Sequence, residues 1–226
     1  MTLRLGRWQD ALADVERVDA VITDPPYSRR VHDGDAAKSE ADGATRRMLD
    51  YNNWTPDDVV DIVSAWAPRT RRWMVCMTSH DLIGAYEAAY EAAGWRAFAP
   101  VPWVCPGASV RLAGDGPASW TCYVMVARPR TAAAAAWRAL PGAYVVGRDR
   151  SEVGRYGGKP IELMRQIVRD YSDPGDLVCD PCAGLASTLI AAVQMGRRAI
   201  GAEVDPEVHT SATERIASTL RQGALL

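Results

Sequence analysis

No stretch of the 226-residue chain approaches the roughly 20 consecutive apolar residues of a membrane helix. The start, Met1-Thr2-Leu3-Arg4, has no apolar core of signal-peptide type behind it. Five cysteines, an odd number, are scattered through apolar contexts rather than gathered in a disulfide framework, which predicts a reducing, cytoplasmic setting. The three histidines, His32, His80 and His209, are far apart and lack ligand spacing, so no metal site is expected. Internal repeats are absent as well. Net charge is −2, which by itself argues mildly against a nucleic-acid partner. The charge is uneven, however. Between Arg128 and Lys159 stand seven basic residues (Arg128, Arg130, Arg138, Arg148, Arg150, Arg155, Lys159) and two acidic ones, Asp149 and Glu152. That stretch is either a solvated surface run or a patch for phosphates.

What the chain does have is apolar residues, 48% of it, enough for one core. Apolar runs at Leu3–Leu5, Val18–Thr23, Arg72–Thr78, Trp95–Val104 (broken by prolines), Trp120–Ala127, Leu177–Cys179 and Ala199–Val204 predict strands. Helical patterns fall at Asp10–Glu16, Thr55–Ala67, Asp81–Ala93, Pro160–Tyr171, Ser187–Met195 and Glu207–Leu220. Strand–helix alternation of this kind predicts an α/β fold, a mostly parallel seven-stranded sheet with helices on both faces, built from residues 1–226 as a single domain. Residues 28–53 are polar and read as a long mobile loop, and 106–158 as a small insertion.

Val18–Thr23 stops at Asp24-Pro25-Pro26-Tyr27. Two prolines cannot continue a central strand, so these residues belong at the sheet's edge. The prolines stiffen the backbone and leave the Pro25 carbonyl as an acceptor beside the Asp24 carboxylate. Two converging acceptors suit an amino group, and Tyr27 adds an aromatic face. A base amine is a poor nucleophile, because its lone pair is delocalised into the ring. Gripping its hydrogens favours a pyramidal nitrogen whose lone pair points at an electrophile. A duplex base would have to flip out to reach such a site.

Asp-Pro-Pro-Tyr after an apolar strand resembles the catalytic motif of amino-group DNA methyltransferases. A second region carries the same resemblance. Leu177-Val178-Cys179-Asp180-Pro181-Cys182-Ala183-Gly184-Leu185-Ala186-Ser187-Thr188 reads as strand, acidic tip, small-residue turn and helix start, a shape that brings backbone N–H groups to a ligand. About 20 residues on, Ala199–Asp205 ends in an acid placed for a ribose diol. Both stretches resemble the family's DPFxGxG and GxExD patterns, with Gly184 and Glu203 matching. The resemblance implies S-adenosyl-L-methionine as cofactor in a Rossmann-like fold, with Asp180, Cys182, Ala183, Gly184, Ala186 and Ser187 near its methionine portion and Glu203 with Val204 at the ribose. Lys159-Pro160 resembles the family segment that helps hold the methionine end. Cys182 stands where the family has phenylalanine, and Ala186 where it has a second glycine. Gly6 is followed by Arg7 and Trp8 instead of aspartate, which leaves Gly6 and Trp8 as the expected neighbours of the cofactor's adenine.

Because the Asp24 motif precedes the Asp180 motif by about 155 residues, the order is that of the family's β group. The implied activity is transfer of a methyl group to adenine N6 of DNA, since relatives acting on cytosine N4 more often carry serine in place of Asp24. Cytosine N4, and a catalytically degenerate DNA- or cofactor-binding relative, are the alternatives. Arg29, Arg30 and Trp54 are the expected DNA contacts, with residues 28–53 and 106–158 as recognition elements. Arg29 and Arg30 could equally pair with Asp33 or Asp35. The resemblance further implies a bacterial or phage origin, association with restriction-modification, and room for a homodimer. Cys179 and Cys182 have CxxC spacing, but one ends a strand and the other lies in the turn.

Overall fold

The computed structural model describes residues 1–28, 53–106, 120–131, 139–147 and 158–223. Among the described residues nine strands form a single sheet: β1 (Thr2–Leu5), β2 (Val18–Thr23), β3 (Thr70–Thr78), β4 (Trp95–Ala97), β5 (Val101–Val104), β6 (Thr121–Pro129), β7 (Tyr144–Val145), β8 (Leu177–Asp180) and β9 (Arg198–Glu203). Their order is β1-β9-β8-β2-β3-β6-β5-β7, with β4 also paired to β6. The five strands from β1 to β3 are mutually parallel. Strand β6 runs antiparallel to β3, β4 and β5. The helices are α1 (Trp8–Ala11), α2 (Pro56–Trp66), α3 (Ile83–Ala92), α4 (Ile161–Tyr171), α5 (Ser187–Gln194) and α6 (Pro206–Gly223).

The alternation of side chains along the central strands makes two cores. Ala20, Ile22, Val75, Met77, Val124 and Val126 face one cluster, which takes in Leu163 and Ile167 of α4 and Leu189 of α5. Val21, Met74, Cys76, Met125 and Ala127 face the other, built with Val59, Ile62 and Trp66 of α2 and Tyr86 and Tyr90 of α3. Burial on both faces is why these strands read as continuous apolar runs rather than as alternating ones. Helix α2 starts where its sequence predicts. The Thr55 hydroxyl accepts from the Asp58 amide, Asp58 answers the Thr55 amide, and Pro56 opens the first turn.

The sheet differs from the expected seven strands. Residues 95–104 form two strands instead of one, because the chain breaks at Phe98-Ala99-Pro100 and re-pairs, both pieces lying against β6. Strand β7 is only two residues long, too short to stand out in a sequence pattern. Helix α1 begins at Trp8 rather than Asp10 and ends at Ala11. Residues 106–158 supply β6 and β7 to the sheet. The rest of that span, and the 28–53 loop apart from Ser28 and Asn53, lie outside the described residues. Among the described residues no helix is long and apolar enough to cross a membrane.

In a parallel sheet the carboxyl ends of the strands share one edge, where such folds place their ligands. The order β9-β8-β2 therefore makes neighbours of three tips that are remote in sequence: Glu203, Asp180 and Asp24.

Candidate active site

At the tip of β2, Thr23 is fully buried and its hydroxyl donates to Asp180 Oδ1 at 2.7 Å, tying the tips of β2 and β8 together. The next residue, Asp24, is half-buried and Pro25 is buried. The Tyr27 hydroxyl donates to Asp24 Oδ1 at 3.0 Å, and Lys159 Nζ donates to Asp24 Oδ2 at 2.5 Å. The same ammonium lies over the Tyr27 ring, 4.9 Å from its centre. Burial, reinforced by the charge of Asp24, pushes the Tyr27 phenol well above its ordinary value, so it stays a neutral donor. Trp54 donates its backbone N–H to the Tyr27 carbonyl at 3.1 Å, which puts the far end of the 28–53 loop beside the motif. Arg29 and Arg30 lie outside the described residues.

The turn after β8 is organised from within. Asp180 is 1% exposed, and its Oδ1 accepts from the Cys182 amide at 3.1 Å as well as from Thr23. Burial pushes the Asp180 carboxyl up to about 6, although hydrogen bonds from Thr188, Thr23 and the Cys182 amide pull the other way. Its carboxylate thus braces the turn. The Ala183 amide donates to the Ala202 carbonyl at 2.8 Å, and the Gly184 amide to Glu203 Oε2 at 2.9 Å. Glu203 Oε1 accepts from the Asp205 amide at 2.8 Å. Asp205 in turn caps α6 by accepting from the Glu207 and Val208 amides.

Ala186, where a glycine was the expected residue, has φ +61° and ψ +26°, the left-handed region that costs an L-residue about 1–2 kcal/mol. Its methyl is fully buried in the core, which offsets part of that strain. At Gly184, with φ +50°, an added Cβ would meet nothing within 4 Å, so the turn faces open space there.

Gly6 donates its N–H to the Glu203 carbonyl at 2.8 Å, and Val204 is half-exposed next to it. Trp8, by contrast, packs toward the helices. Its ring lies 6.5 Å from that of Trp66, against the second core cluster. Pro160 is buried just before α4. Lys159 joins the two halves of the site. Its carbonyl accepts from the Ser187 hydroxyl at 2.8 Å while its ammonium reaches Asp24. Arg215 of α6 donates to Ser187 Oγ at 2.8 Å and to the Leu185 carbonyl at 2.9 Å. Burial holds the Cys179 and Cys182 thiols well above their usual value, so both remain protonated rather than nucleophilic.

Thr23 and Arg215 escaped the sequence reading. Thr23 carries a weak signal, a polar residue closing an apolar strand against an acidic motif. Arg215 carries none, as one more arginine on an exposed helix pattern.

Residues 148–214 match the model of the DNA methylase family. The match covers just under a third of the chain. The type II methyltransferase M.MthZI of Methanothermobacter thermautotrophicus is 39% identical over 67 residues, 30% of this chain and 19% of the relative. The DNA adenine methyltransferase YhdJ of Escherichia coli (strain K12) is 43% identical over 49 residues, 22% of this chain and 17% of the relative. The alignments thus take in 30% or less of the curated relatives' own lengths. The whole fold is shared more widely. The M1.HpyAVI structure, a complex with S-adenosyl-L-methionine, superposes with a TM-score of 0.73 at 19% identity over 95% of this chain and 98% of that one. PvuII DNA methyltransferase, cytosine-N4-specific, gives 0.67 at 15% identity over 97% and 91%. The fold is that of the Rossmann-like S-adenosylmethionine-dependent methyltransferases.

Proposed function

We infer that the chain is a DNA methyltransferase that uses S-adenosyl-L-methionine and acts on an exocyclic base amine, adenine N6. The observation that carries this is the meeting of two motifs at neighbouring strand tips, joined by the 2.7 Å Thr23–Asp180 bond and spanned by Lys159 from Ser187 to Asp24. The DNA methylase match over 148–214 takes in the Asp180 turn and Glu203. The residues present fit the cofactor. A turn at positive φ opens to one side at Gly184, and a carboxylate, Glu203, ends the adjacent strand with Val204 half-exposed beside it. S-adenosyl-L-methionine supplies a methyl group made electrophilic by its positive sulfur.

The protein's part is orientation. Asp24 accepts a hydrogen bond from the amine and turns the nitrogen lone pair outward, Tyr27 offers its ring to the flipped base, and Asp180 and Thr23 keep the two tips in register. Asp24, an acid rather than serine at this position, favours adenine. Cytosine N4 is the second reading, supported by the fold shared with the N4-specific PvuII enzyme. Arg29, Arg30, Trp54 and the basic stretch up to Lys159 are the proposed DNA contacts.

Incubation with labelled S-adenosyl-L-methionine and unmethylated DNA, followed by nucleoside analysis, tests the reading. N6-methyldeoxyadenosine is expected, N4-methyldeoxycytidine would establish the second reading, and no transferred label would refute both. Asp24→Ala should abolish turnover while keeping the fold.

A further inference from the structure

The base amine needs two things at the β2 tip: a carboxylate oxygen and an aromatic face. Lys159 holds both. Its ammonium is 2.5 Å from Asp24 Oδ2 and 4.9 Å from the centre of the Tyr27 ring, and the other oxygen of Asp24 is engaged by the Tyr27 hydroxyl. An alkylammonium on a carboxylate over a phenol ring presents the same N–H donors that an aminopurine would bring. Only 17% of the Lys159 side chain and 19% of the Asp24 side chain are exposed, so the corner has little room for a second occupant. The lysine's backbone is anchored elsewhere, by the Ser187 hydroxyl at the start of α5, beside the Asp180–Ala186 turn. A side chain fixed at its root, and held at its tip by a single carboxylate oxygen over an aromatic ring, can swing between the two halves of the site.

We propose that Lys159 is an internal competitor for the amine cradle, and that it leaves Asp24 for the carboxylate of S-adenosyl-L-methionine, so that the base is gripped only after the cofactor is in place. This rests on the cofactor reading given above. The carboxylate is the one anionic group of that cofactor, and its positive sulfur disfavours a second cation near Asp24. Asp24 Oδ2, relieved of the ammonium, is then an acceptor facing the base, while Oδ1 keeps the Tyr27 hydroxyl.

The chain has two lysines, Lys38 and Lys159, which makes the movement directly observable. Protein labelled with 13C at lysine Cε gives two methylene correlations, assigned with Lys38→Arg. In the wild type the Lys159 signal is expected upfield of its position in Tyr27→Leu, because of the ring beneath it, and Asp24→Asn should lose the same offset. Saturating S-adenosyl-L-methionine, with binding followed by calorimetry on the same sample, should move the wild-type signal to the Tyr27→Leu position. Retention of the upfield position with the cofactor demonstrably bound overturns the proposal, as does a wild-type signal that never differs from that of Tyr27→Leu. Absence of any binding heat refutes the cofactor reading itself, and the competitor idea falls with it.

Discussion

Gly201 sits in β9 opposite Asp180 of β8, the strand that separates it from the Asp24 tip of β2. A Cβ built on it would lie 2.7 Å from the Asp180 carbonyl oxygen, 3.1 Å from Leu189 Cδ1 and 3.2 Å from Ala183 Cβ. Attractive carbon–oxygen contacts settle at about 3.3–3.6 Å, so Gly201→Ala requires the ladder or the turn to open by roughly 0.6 Å. The leucine methyl can give way. The other two atoms are a strand carbonyl and a Cβ in a turn whose amide is pinned to Ala202 at 2.8 Å, and they cannot move independently. Overpacking of this kind costs about 1–3 kcal/mol, and the upper half of the range is expected here. For a chain of this size that lowers Tm by about 4–12 °C. The shift also moves Ala183 and Gly184 away from Glu203, so affinity for S-adenosyl-L-methionine should fall in parallel. Urea denaturation and calorimetry measure the two effects. Gly84→Ala is the matched control. An added Cβ there meets nothing within 4 Å, and its exposed place in α3 predicts a gain of about 0.5–1 kcal/mol. A Gly201→Ala protein within about 0.5 kcal/mol of wild type would refute the argument that close strand approach shapes the turn.

Thr23→Val removes the donor between the β2 and β8 tips and leaves a buried carboxylate short of a bond, which should cost about 1–3 kcal/mol in urea unfolding. The Asp180 carboxyl, up to about 6 when folded and near 3.9 in an unfolded chain, binds its proton more tightly in the native state. Its contribution therefore favours folding at low pH and is lost as pH rises from about 4 to about 6, to the extent of about 3 kcal/mol. The difference in unfolding free energy between wild type and Asp180→Asn should change by about 2 kcal/mol between pH 4 and pH 7, and a flat difference would contradict the assignment. Arg215→Met leaves the Leu185 carbonyl and Ser187 without their donor from α6. Calorimetry should show about tenfold weaker binding of S-adenosyl-L-methionine, equivalent to about 1.4 kcal/mol, with far-UV circular dichroism unchanged.

The local chemistry of the chain was legible in one dimension. Val18–Thr23 is a strand at the bounds the sequence predicts, and the prolines at 25 and 26 end it, because proline removes the donor that a ladder needs. Thr55-Pro56-Asp57-Asp58 opens α2 through contacts three residues apart, so its start was equally readable. The glycine and acidic residues of the Asp180–Glu203 region were readable as a turn and its partner, since small residues and a strand-end acid have few other uses together.

What the sequence could not determine is which side chains share an atom. The split of residues 95–104 into β4 and β5 and the two-residue β7 depend on β6 being available as a template, a partner choice made across the sheet. The packing of Trp8 on Trp66 was decided by the second core cluster rather than by its place after Gly6. Above all, the contacts of Asp24 with Lys159 and of Thr23 with Asp180 span 135 and 157 residues. Local patterns record the backbone state of each segment. The order β9-β8-β2, settled by burial of the whole sheet between two helical layers, is what turns separate motifs into one site.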